Sequence, residues 1–188
     1  METQVNMSID EEETKHQVTT DIKINPHEQK IFDTILEVAQ KNNLKTVFRV
    51  SGGWVRDKML LRESNDIDFA LDNIYGAEFA EMLSKHLYKK NHGSKFGVIK
   101  ANSDKSKHLE TATLKVHGTF IDLVNLRSEE YASDSRVPTI EIGTPLQDAL
   151  RRDLTINSMF YNINTKEVED FTEKGIEDLK VGFKSKSV

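Results

Sequence analysis

The sequence predicts a single domain of the α+β class, in which helices flank short β-strands. Apolar residues recur at helical spacing in some segments, such as the one after Asn25, and with period two in others, such as 66–72. Two β-prone runs, 109–116 and 119–126, are separated by a His-Gly pair that suits a two-residue hairpin turn. With 188 residues, the chain is long enough to fill one hydrophobic core.

The first 24 residues are polar and acidic, and they lack glycine and sustained apolar periodicity, so 1–24 is predicted to be a flexible leader. They also lack the apolar region of a secretory signal and the Arg-rich pattern of a mitochondrial transit peptide. The folded body is predicted to begin at Asn25-Pro26-His27-Glu28, which combines an N-cap, a proline at the first helical position and a glutamate at the third. This helix is predicted to end near 42–43.

The remaining segments alternate between extended and helical patterns. In chain order they are a strand over 46–51, a helix over 54–61, a strand over 66–72, a helix over 75–90, a strand over 95–101, the hairpin over 109–126, and a last hairpin of 159–162 with 167–171. Before that last hairpin, Thr144-Pro145-Leu146-Gln147 repeats the capping pattern and predicts a helix through Arg152.

The composition limits the classes of protein and site that are compatible with the chain. No apolar run approaches the roughly 20 residues of a membrane-spanning helix, so a membrane protein is not expected. The absence of cysteine excludes disulfides, zinc–thiolate sites and cysteine nucleophiles. The formal net charge of -5 gives no bulk attraction for nucleic acid, so contact with a polyanion needs local positive groups or metal ions.

Alternation in the segment 66–72 puts three carboxylates on one face of one predicted strand, namely Asp66, Asp68 and Asp72. Residues two apart on a strand lie about 7 Å apart at Cα, so Asp66 and Asp68 can share one or two divalent cations. Mg²⁺ prefers such oxygen ligands together with substrate phosphates, and a two-metal site supports in-line phosphoryl transfer. The alternative is a solvated strand face, although Asp is depleted in strands.

Gly52-Gly53 ends a predicted strand and opens a helix, a layout that suits phosphate binding. Glycine permits close backbone approach, and the N–H groups at a helix start favour a negative group. Arg56 lies one turn into that helix and can clamp the same anion. Most glycine pairs are plain turns, so the prediction rests on the position of this pair just before the acidic strand.

Four further residues are candidates for the same site. Arg152, the second of two adjacent arginines, suits phosphate oxygens, although a favourable charge at a helix C-terminus or an ion pair is the alternative. Asp153 and Asn157 lie one helical turn apart if that helix continues, where both can hydrogen-bond a ribose. Asp122 lies among apolar residues in a predicted strand and is a candidate third metal carboxylate, with a solvent-facing aspartate as the alternative.

Three ordered motifs make the sequence similar to a known family. Val50 to Asp57, Asn65 to Phe69 and Asp148 to Asn157 together closely resemble the class II tRNA nucleotidyltransferases. These are the CCA-adding enzymes, which share their head domain with bacterial poly(A) polymerases. The segments 106–113 and 120–131 resemble the eukaryotic, particularly fungal, branch.

The resemblance, which runs over about 47–179, implies a fold, a reaction and a set of site residues. The fold is a polymerase-β-like nucleotidyltransferase head, with a small mixed, mostly antiparallel sheet flanked by helices. The reaction is attack of the tRNA 3′-hydroxyl on the α-phosphate of CTP or ATP, with release of pyrophosphate. The roles implied by the resemblance are Mg²⁺ binding by Asp66 and Asp68, triphosphate binding by Gly53, Arg56 and Arg152, and ribose recognition by Asp153 and Asn157. The residue patterns described above add Asp122 as a further catalytic carboxylate and Gly52 as a nucleotide-binding residue.

The chain also departs from the family pattern. In the family a neck region after the head carries an E-D-x-x-R motif that selects CTP or ATP, and the 188 residues contain no such motif. We therefore expect an isolated head over 25–180 with impaired activity, followed by an atypical tail over 181–188. The alternatives are a poly(A) polymerase-type enzyme and a non-catalytic nucleotide-binding remnant.

The resemblance also implies partners and a compartment. The expected partners are CTP, ATP and the tRNA 3′ end, without a membrane and without an obligatory protein partner. The expected compartment is the cytoplasm, and the sequence leaves the nucleus and the mitochondrion open.

Overall fold

Helix α1 begins where the capping pattern predicts it. The computed structural model describes residues 17–90, 99–100, 111–130 and 139–182. α1 spans Pro26–Lys41, and the Asn25 side chain accepts a hydrogen bond from the Glu28 N–H while the Glu28 carboxylate accepts one from the Asn25 N–H. This reciprocal capping box satisfies two N–H groups that a helix start leaves unpaired. Asn42 caps the C-terminus, as predicted.

Helices and strands alternate along the rest of the described chain. The other helices are α2 (Gly53–Met59), α3 (Gly76–Lys90), α4 (Pro145–Leu150) and α5 (Gly175–Val181), with a short 3-10 helix at Thr155–Asn157. The strands are β1 (Phe48–Ser51), β2 (Ile67–Leu71), β3 (Ile99–Lys100), β4 (Ala112–Val116), β5 (Thr119–Asn125), β6 (Arg127–Glu130), β7 (Thr139–Ile142), β8 (Phe160–Asn162) and β9 (Glu167–Glu169). None of the helices described has the length and apolar character that a membrane crossing requires.

Seven of these strands form one sheet in the order β3-β4-β5-β2-β1-β8-β9. β2 and β5 are parallel, and the other neighbouring pairs are antiparallel. The expected small, mixed and mostly antiparallel sheet with flanking helices is therefore confirmed. β6 and β7 form a separate two-stranded sheet.

Helices α1 and α3 cover one face of the large sheet. The Phe32 ring of α1 lies 5.7 Å from Phe69 of β2, and the Phe79 ring of α3 lies 4.7 Å from Phe48 of β1, between ring centroids. Because successive strand residues point to opposite faces, burial of Ile67 and Phe69 on this side directs the intervening Asp68 to the other face. The core thereby determines which face is left for a site.

Several sequence predictions have outcomes at this level. The hairpin turn at His117-Gly118 is confirmed, and both residues have positive φ, 48° and 97°, as a tight turn between twisted strands requires. The helix predicted through Arg152 is too long, because α4 ends at Leu150 and the backbone is extended at Leu154 (φ -129°, ψ 128°). Of the strand predicted over 95–101, only Ile99–Lys100 lies within the described residues.

The predicted leader extends too far into the chain. The Thr19 N–H donates to the Met59 carbonyl oxygen at 3.0 Å, Ile22 is buried, and Val18 and Ile24 pack against the core. Isolated apolar residues between polar ones show no periodicity, so this packing has no local signal. The leader prediction for 1–16 lies outside the described residues, as does the tail prediction for 183–188.

Candidate active site

The predicted carboxylates Asp66, Asp68 and Asp122 come together on the open face of the sheet. β2 and β5 are parallel neighbours, and their register pairs Asp68 directly with Asp122, whereas Asp66 lies just before β2. All three line a cavity of about 460 Å³, together with Ile67, Thr113 and Phe120. Burial of alternate β5 residues, Ile121 and Leu123, fixes the side to which Asp122 points.

The clustered negative charge perturbs Asp68. Partial burial of its carboxyl group raises its pKa above the ordinary value, and the charges of Asp122 and Asp66 raise it further, while the charge of Arg152 acts in the opposite direction. An ionised Asp68 is therefore disfavoured unless a positive charge joins the cluster. This is the electrostatic condition under which a bound cation is favourable.

The donor set fits a cation that keeps part of its own shell. The part of the chain described contains no preformed group of three or more His, Asp or Glu ligands. Mg²⁺ is commonly bound by one or two carboxylates, with substrate phosphates and water completing six positions. Two carboxylates beside an open cavity satisfy that requirement for Mg²⁺, and they do not form the all-protein cage of a structural metal.

Thr113 on β4 holds Asp122 in place. Its hydroxyl Oγ1 donates to Asp122 Oδ1 at 2.6 Å, and the β4–β5 register pairs the two residues directly. Sequence reasoning missed Thr113. The only signal available was its position across the predicted hairpin from Asp122, which can be counted from the His-Gly turn.

The glycine loop lies next to this acidic face. Gly52 has φ 73° and ψ -132°, a conformation that residues with a Cβ rarely adopt, and α2 begins at Gly53. Val50 pairs antiparallel with Phe69, so the glycines that follow lie at the end of β2 that carries Asp68. A Cβ on Gly52 would stand only 3.2 Å from Arg152 Nη1, which shows how closely that guanidinium approaches the loop.

Arg56, Arg152 and Asn157 converge on the loop. Arg56 Nη1 donates to Asn157 Oδ1 at 2.8 Å, and Arg152 Nη1 donates to the Asn157 carbonyl oxygen at 3.2 Å. Arg152 also stacks on Phe160, with its guanidinium carbon 5.4 Å from the ring centroid. Two cations of fixed geometry therefore flank a backbone turn suited to phosphate, one of them within electrostatic reach of Asp68.

The buried carboxylate of Asp148 orients the arginines after α4. Its Oδ2 accepts from Arg152 Nε and Nη2 at 3.1 and 2.9 Å, and its Oδ1 accepts from Arg151. The ion pair considered as an alternative role for Arg152 is therefore present. The Arg152 side chain is paired with Asp148 and is also partly exposed to solvent. Asp148 was missed as a site residue, although its spacing of four residues from Arg152 on a helix was a usable signal.

Two predicted arrangements are not formed. Asp153 is exposed, and the end of α4 at Leu150 separates it from the short helix that carries Asn157, so the two are not one helical turn apart. Asp72 was expected to share the face of Asp68, but it lies beyond the far end of β2. There its Oδ1 accepts from the Val47 N–H at 3.2 Å and its Oδ2 lies 3.8 Å from Arg49.

Comparison with known proteins gives consistent matches. A family model described as the Poly A polymerase head domain matches residues 48–183. The mitochondrial CCA tRNA nucleotidyltransferase of Candida glabrata is 52% identical over 141 residues, which cover 71% of this chain and 26% of that protein. The chain therefore spans about a quarter of that relative's length.

Solved structures of CCA-adding enzymes are also similar to this chain. A CCA-adding enzyme in an apo form has a TM-score of 0.65 and 29% identity, covering 85% of this chain and 35% of that one. A CCA-adding enzyme in complex with CTP has a TM-score of 0.59 and 27% identity, covering 85% of this chain and 32% of that one. The Candida glabrata match confirms the resemblance to fungal CCA-adding enzymes. The solved structures confirm the nucleotidyltransferase head fold. Since the family model covers well over half of the sequence, the chain belongs to the family of Poly A polymerase head domains.

Proposed function

We propose that the chain is the catalytic head of a tRNA nucleotidyltransferase, which transfers CMP and AMP from CTP and ATP to the 3′-hydroxyl of tRNA. The observation that carries the proposal is the pairing of Asp68 with Asp122 across β2 and β5, next to a glycine loop flanked by Arg56 and Arg152. Acidic oxygens for a cation and donors for a triphosphate lie side by side, as nucleotidyl transfer requires.

The residues divide into three roles. Asp66 and Asp68 would hold Mg²⁺, with Asp122 beside them, and the bound cation would supply charge stabilisation and a more acidic attacking hydroxyl. The backbone at Gly52 and Gly53, with Arg56 and Arg152, would bind the triphosphate. Asn157 would contact the ribose. Asp153 would also contact it once its exposed side chain turns towards the nucleotide.

The reaction is an in-line displacement. The 3′-hydroxyl of the tRNA loses its proton to solvent and its oxygen forms a bond to the α-phosphorus. The bond from that phosphorus to the oxygen bridging the β-phosphate breaks, so pyrophosphate leaves. Arg56 and Arg152 neutralise charge that builds on the leaving group. Much of the rate enhancement then comes from positioning and electrostatics, which the fixed arginine geometry supports.

Two alternatives remain distinct from CCA addition. The family description favours a poly(A) polymerase-type enzyme with the same head. The other alternative is a nucleotide-binding domain that binds the triphosphate without turnover. Each alternative predicts a different product from the same assay.

The test measures incorporation of labelled CTP and ATP, with Mg²⁺, into tRNA that lacks its 3′ end. We expect added CCA residues, with incorporation lost in Asp66→Ala and Asp68→Ala. Asp33→Ala on the exposed side of α1 is the matched control and should keep wild-type incorporation. Tracts of A on sequencing would establish the poly(A) alternative, and binding of Mg-CTP without incorporation would establish the binding-domain alternative.

The compartment is proposed on the same basis. The Candida glabrata relative carries a mitochondrial name, which supports the mitochondrion for this chain as well. The cytoplasm and the nucleus stay part of the proposal. Fluorescence microscopy of a tagged copy expressed from its own locus would test all three, and a signal restricted to another organelle would contradict it.

A further inference from the structure

Phe120 is an exposed aromatic residue inside the candidate active site. It is 56% exposed, yet it lines the same cavity as Asp66, Asp68 and Asp122. On β5 it shares the open face with Asp122, two residues on, whereas the alternate residues are buried. The exposed part of the ring borders the carboxylates, so a ligand bound there can cover apolar surface that folding leaves open to water.

Lys115 extends this surface. The β4–β5 register pairs Lys115 with Phe120, and Lys115 Nζ lies 5.3 Å from the centroid of the Phe120 ring. An ammonium covers one face of a ring at most. The pair therefore presents an aromatic surface with a positive charge at its border, which is the combination that single-stranded nucleic acids use.

The pair forms the second of two rows across the open face. In the first row Asp68, Asp122 and Thr113 are neighbours on β2, β5 and β4. Two residues earlier along β2 and β5, Asp66 precedes β2 at the level of Phe120, and Lys115 is paired with Phe120 on β4. Phe120 thus separates the candidate cation site from Lys115.

The pair and the glycine loop lie on opposite sides of the carboxylates. β1, which leads into Gly52, is the neighbour of β2 on one side, and β5 and β4 follow on the other. In an in-line displacement the attacking oxygen and the leaving pyrophosphate lie on opposite sides of the α-phosphorus. With the triphosphate on the loop side, the attacking 3′-hydroxyl approaches from the side of Phe120.

We propose that Phe120 and Lys115 form a platform for the 3′-terminal nucleotide of the RNA acceptor. The base stacks on the Phe120 ring, and Lys115 contacts the adjoining backbone phosphate. This inference rests on the proposed function and adds the residues that hold the acceptor end. Stacking tolerates every base, so the platform accepts the successive termini that stepwise nucleotide addition creates.

The experiment uses the 188-residue protein and a short single-stranded RNA with 2-aminopurine as its 3′-terminal base, titrated without nucleotide. Stacking quenches this fluorophore. Phe120→Ala and Phe120→Leu should abolish the quenching and weaken RNA binding by about tenfold, whereas Phe120→Trp should retain both. Tyr88→Ala removes an equally exposed aromatic residue from α3 and is the matched control, with unchanged quenching expected.

Two further measurements separate the possible outcomes. Lys115→Gln should lower the slope of log Kd against log salt by about 0.7, as expected for one lost phosphate contact. Mg-CTP affinity, measured by calorimetry, should be the same in wild type and Phe120→Ala. Equal loss of Mg-CTP affinity would assign the ring to the incoming base and overturn the proposal.

The remaining outcomes distinguish this inference from the proposed function. If wild type binds both ligands and Phe120→Ala keeps full RNA affinity and quenching, the platform is wrong and the proposed function stands. If wild type binds neither Mg-CTP nor RNA, the proposed function fails and the platform fails with it. Because Phe120 and Lys115 are exposed, their variants should keep the wild-type melting temperature, which thermal unfolding verifies.

Discussion

Asp68 carries a charge that the folded protein disfavours without a counterion. Its folded pKa lies above the ordinary 3.8, because its carboxyl group is partly buried and lies near Asp122 and Asp66. At pH values between the unfolded and the folded pKa, the native state therefore still holds a proton that the unfolded chain has released. The stability contributed by Asp68 is fully present below its unfolded pKa and is lost as pH rises through the raised folded value.

Replacement of Asp68 by Asn should therefore stabilise the protein at neutral pH while removing the proposed Mg²⁺ site. We expect Asp68→Asn to exceed wild type in free energy of unfolding at pH 7, with the difference shrinking towards pH 3. Mg²⁺ should raise the melting temperature of wild type only. Urea unfolding from pH 3 to 7 measures the first effect, with Asp33→Asn as control, and a less stable Asp68→Asn at pH 7 would contradict it.

Thr113 is a positioning residue for Asp122, since its hydroxyl donates to that carboxylate at 2.6 Å. Thr113→Val keeps the shape and removes the donor. Loss of such an outer contact typically costs about 10- to 100-fold in metal affinity, so the Mg²⁺ concentration for half-maximal incorporation should rise by about tenfold or more. Thr113→Ser should restore it, and a change in the CTP requirement alone would argue against the assigned role.

At the level of elements, a buried ion pair ties α1 to α2. Lys58 Nζ lies 3.0 Å from Glu28 Oε1, and the same oxygen accepts from Trp54 Nε1 at 3.1 Å. Burial acts to lower the pKa of Lys58, but hydrogen bonds and charges from Glu63 and Glu28 outweigh it, so the pKa is raised. Because α2 starts at Gly53, this contact also sets the position of the glycine loop.

Removal of one partner should be costly. Lys58→Met leaves Glu28 buried and uncompensated, and we expect a loss of about 3–5 kcal/mol in the free energy of unfolding. The double variant Glu28→Gln, Lys58→Met should recover part of that loss, because no isolated charge remains. Urea unfolding measures both, and Lys85→Ala, which breaks an exposed pair with Glu81, should cost only about 0.3–0.5 kcal/mol. Equal losses in the single and double variants would refute the charge argument.

For the whole molecule, the prediction concerns the choice of base. The resemblance to CCA-adding enzymes implies that an E-D-x-x-R motif selects the base, and the 188 residues contain no such motif. The described groups near the loop are suited to phosphate and ribose, which CTP and ATP share. We therefore expect calorimetry with Mg²⁺ to give weak and indistinguishable affinities for CTP and ATP. A clear preference for either base would show that the head itself reads the base.

The limits of the folded body also belong to the scale of the whole molecule. Val18, Ile22 and Ile24 pack on the core, so the folded body is proposed to start near 18 rather than at 25, and α5 extends to Val181. The buried ion pair between Lys58 and Glu28 and the packing of the segment before α1 were both absent from the sequence-based prediction. These features depend on residues far apart in the chain, as does the hydrogen bond between Arg56 and Asn157, which are 101 positions apart.

Local patterns in the sequence determined the capped helices, the tight hairpin turn, the alternation that orients Asp66 and Asp68, and the motifs that identify the family. These depend on spacing within a few residues, where the geometry of helix, strand and turn is fixed. Only the tertiary structure decided that Asp122 faces Asp68, that Thr113 and Asp148 orient site residues, and that Phe120 borders the cavity. Strand order and register bring these residues together, and both follow from burial of the whole core, which no single segment encodes.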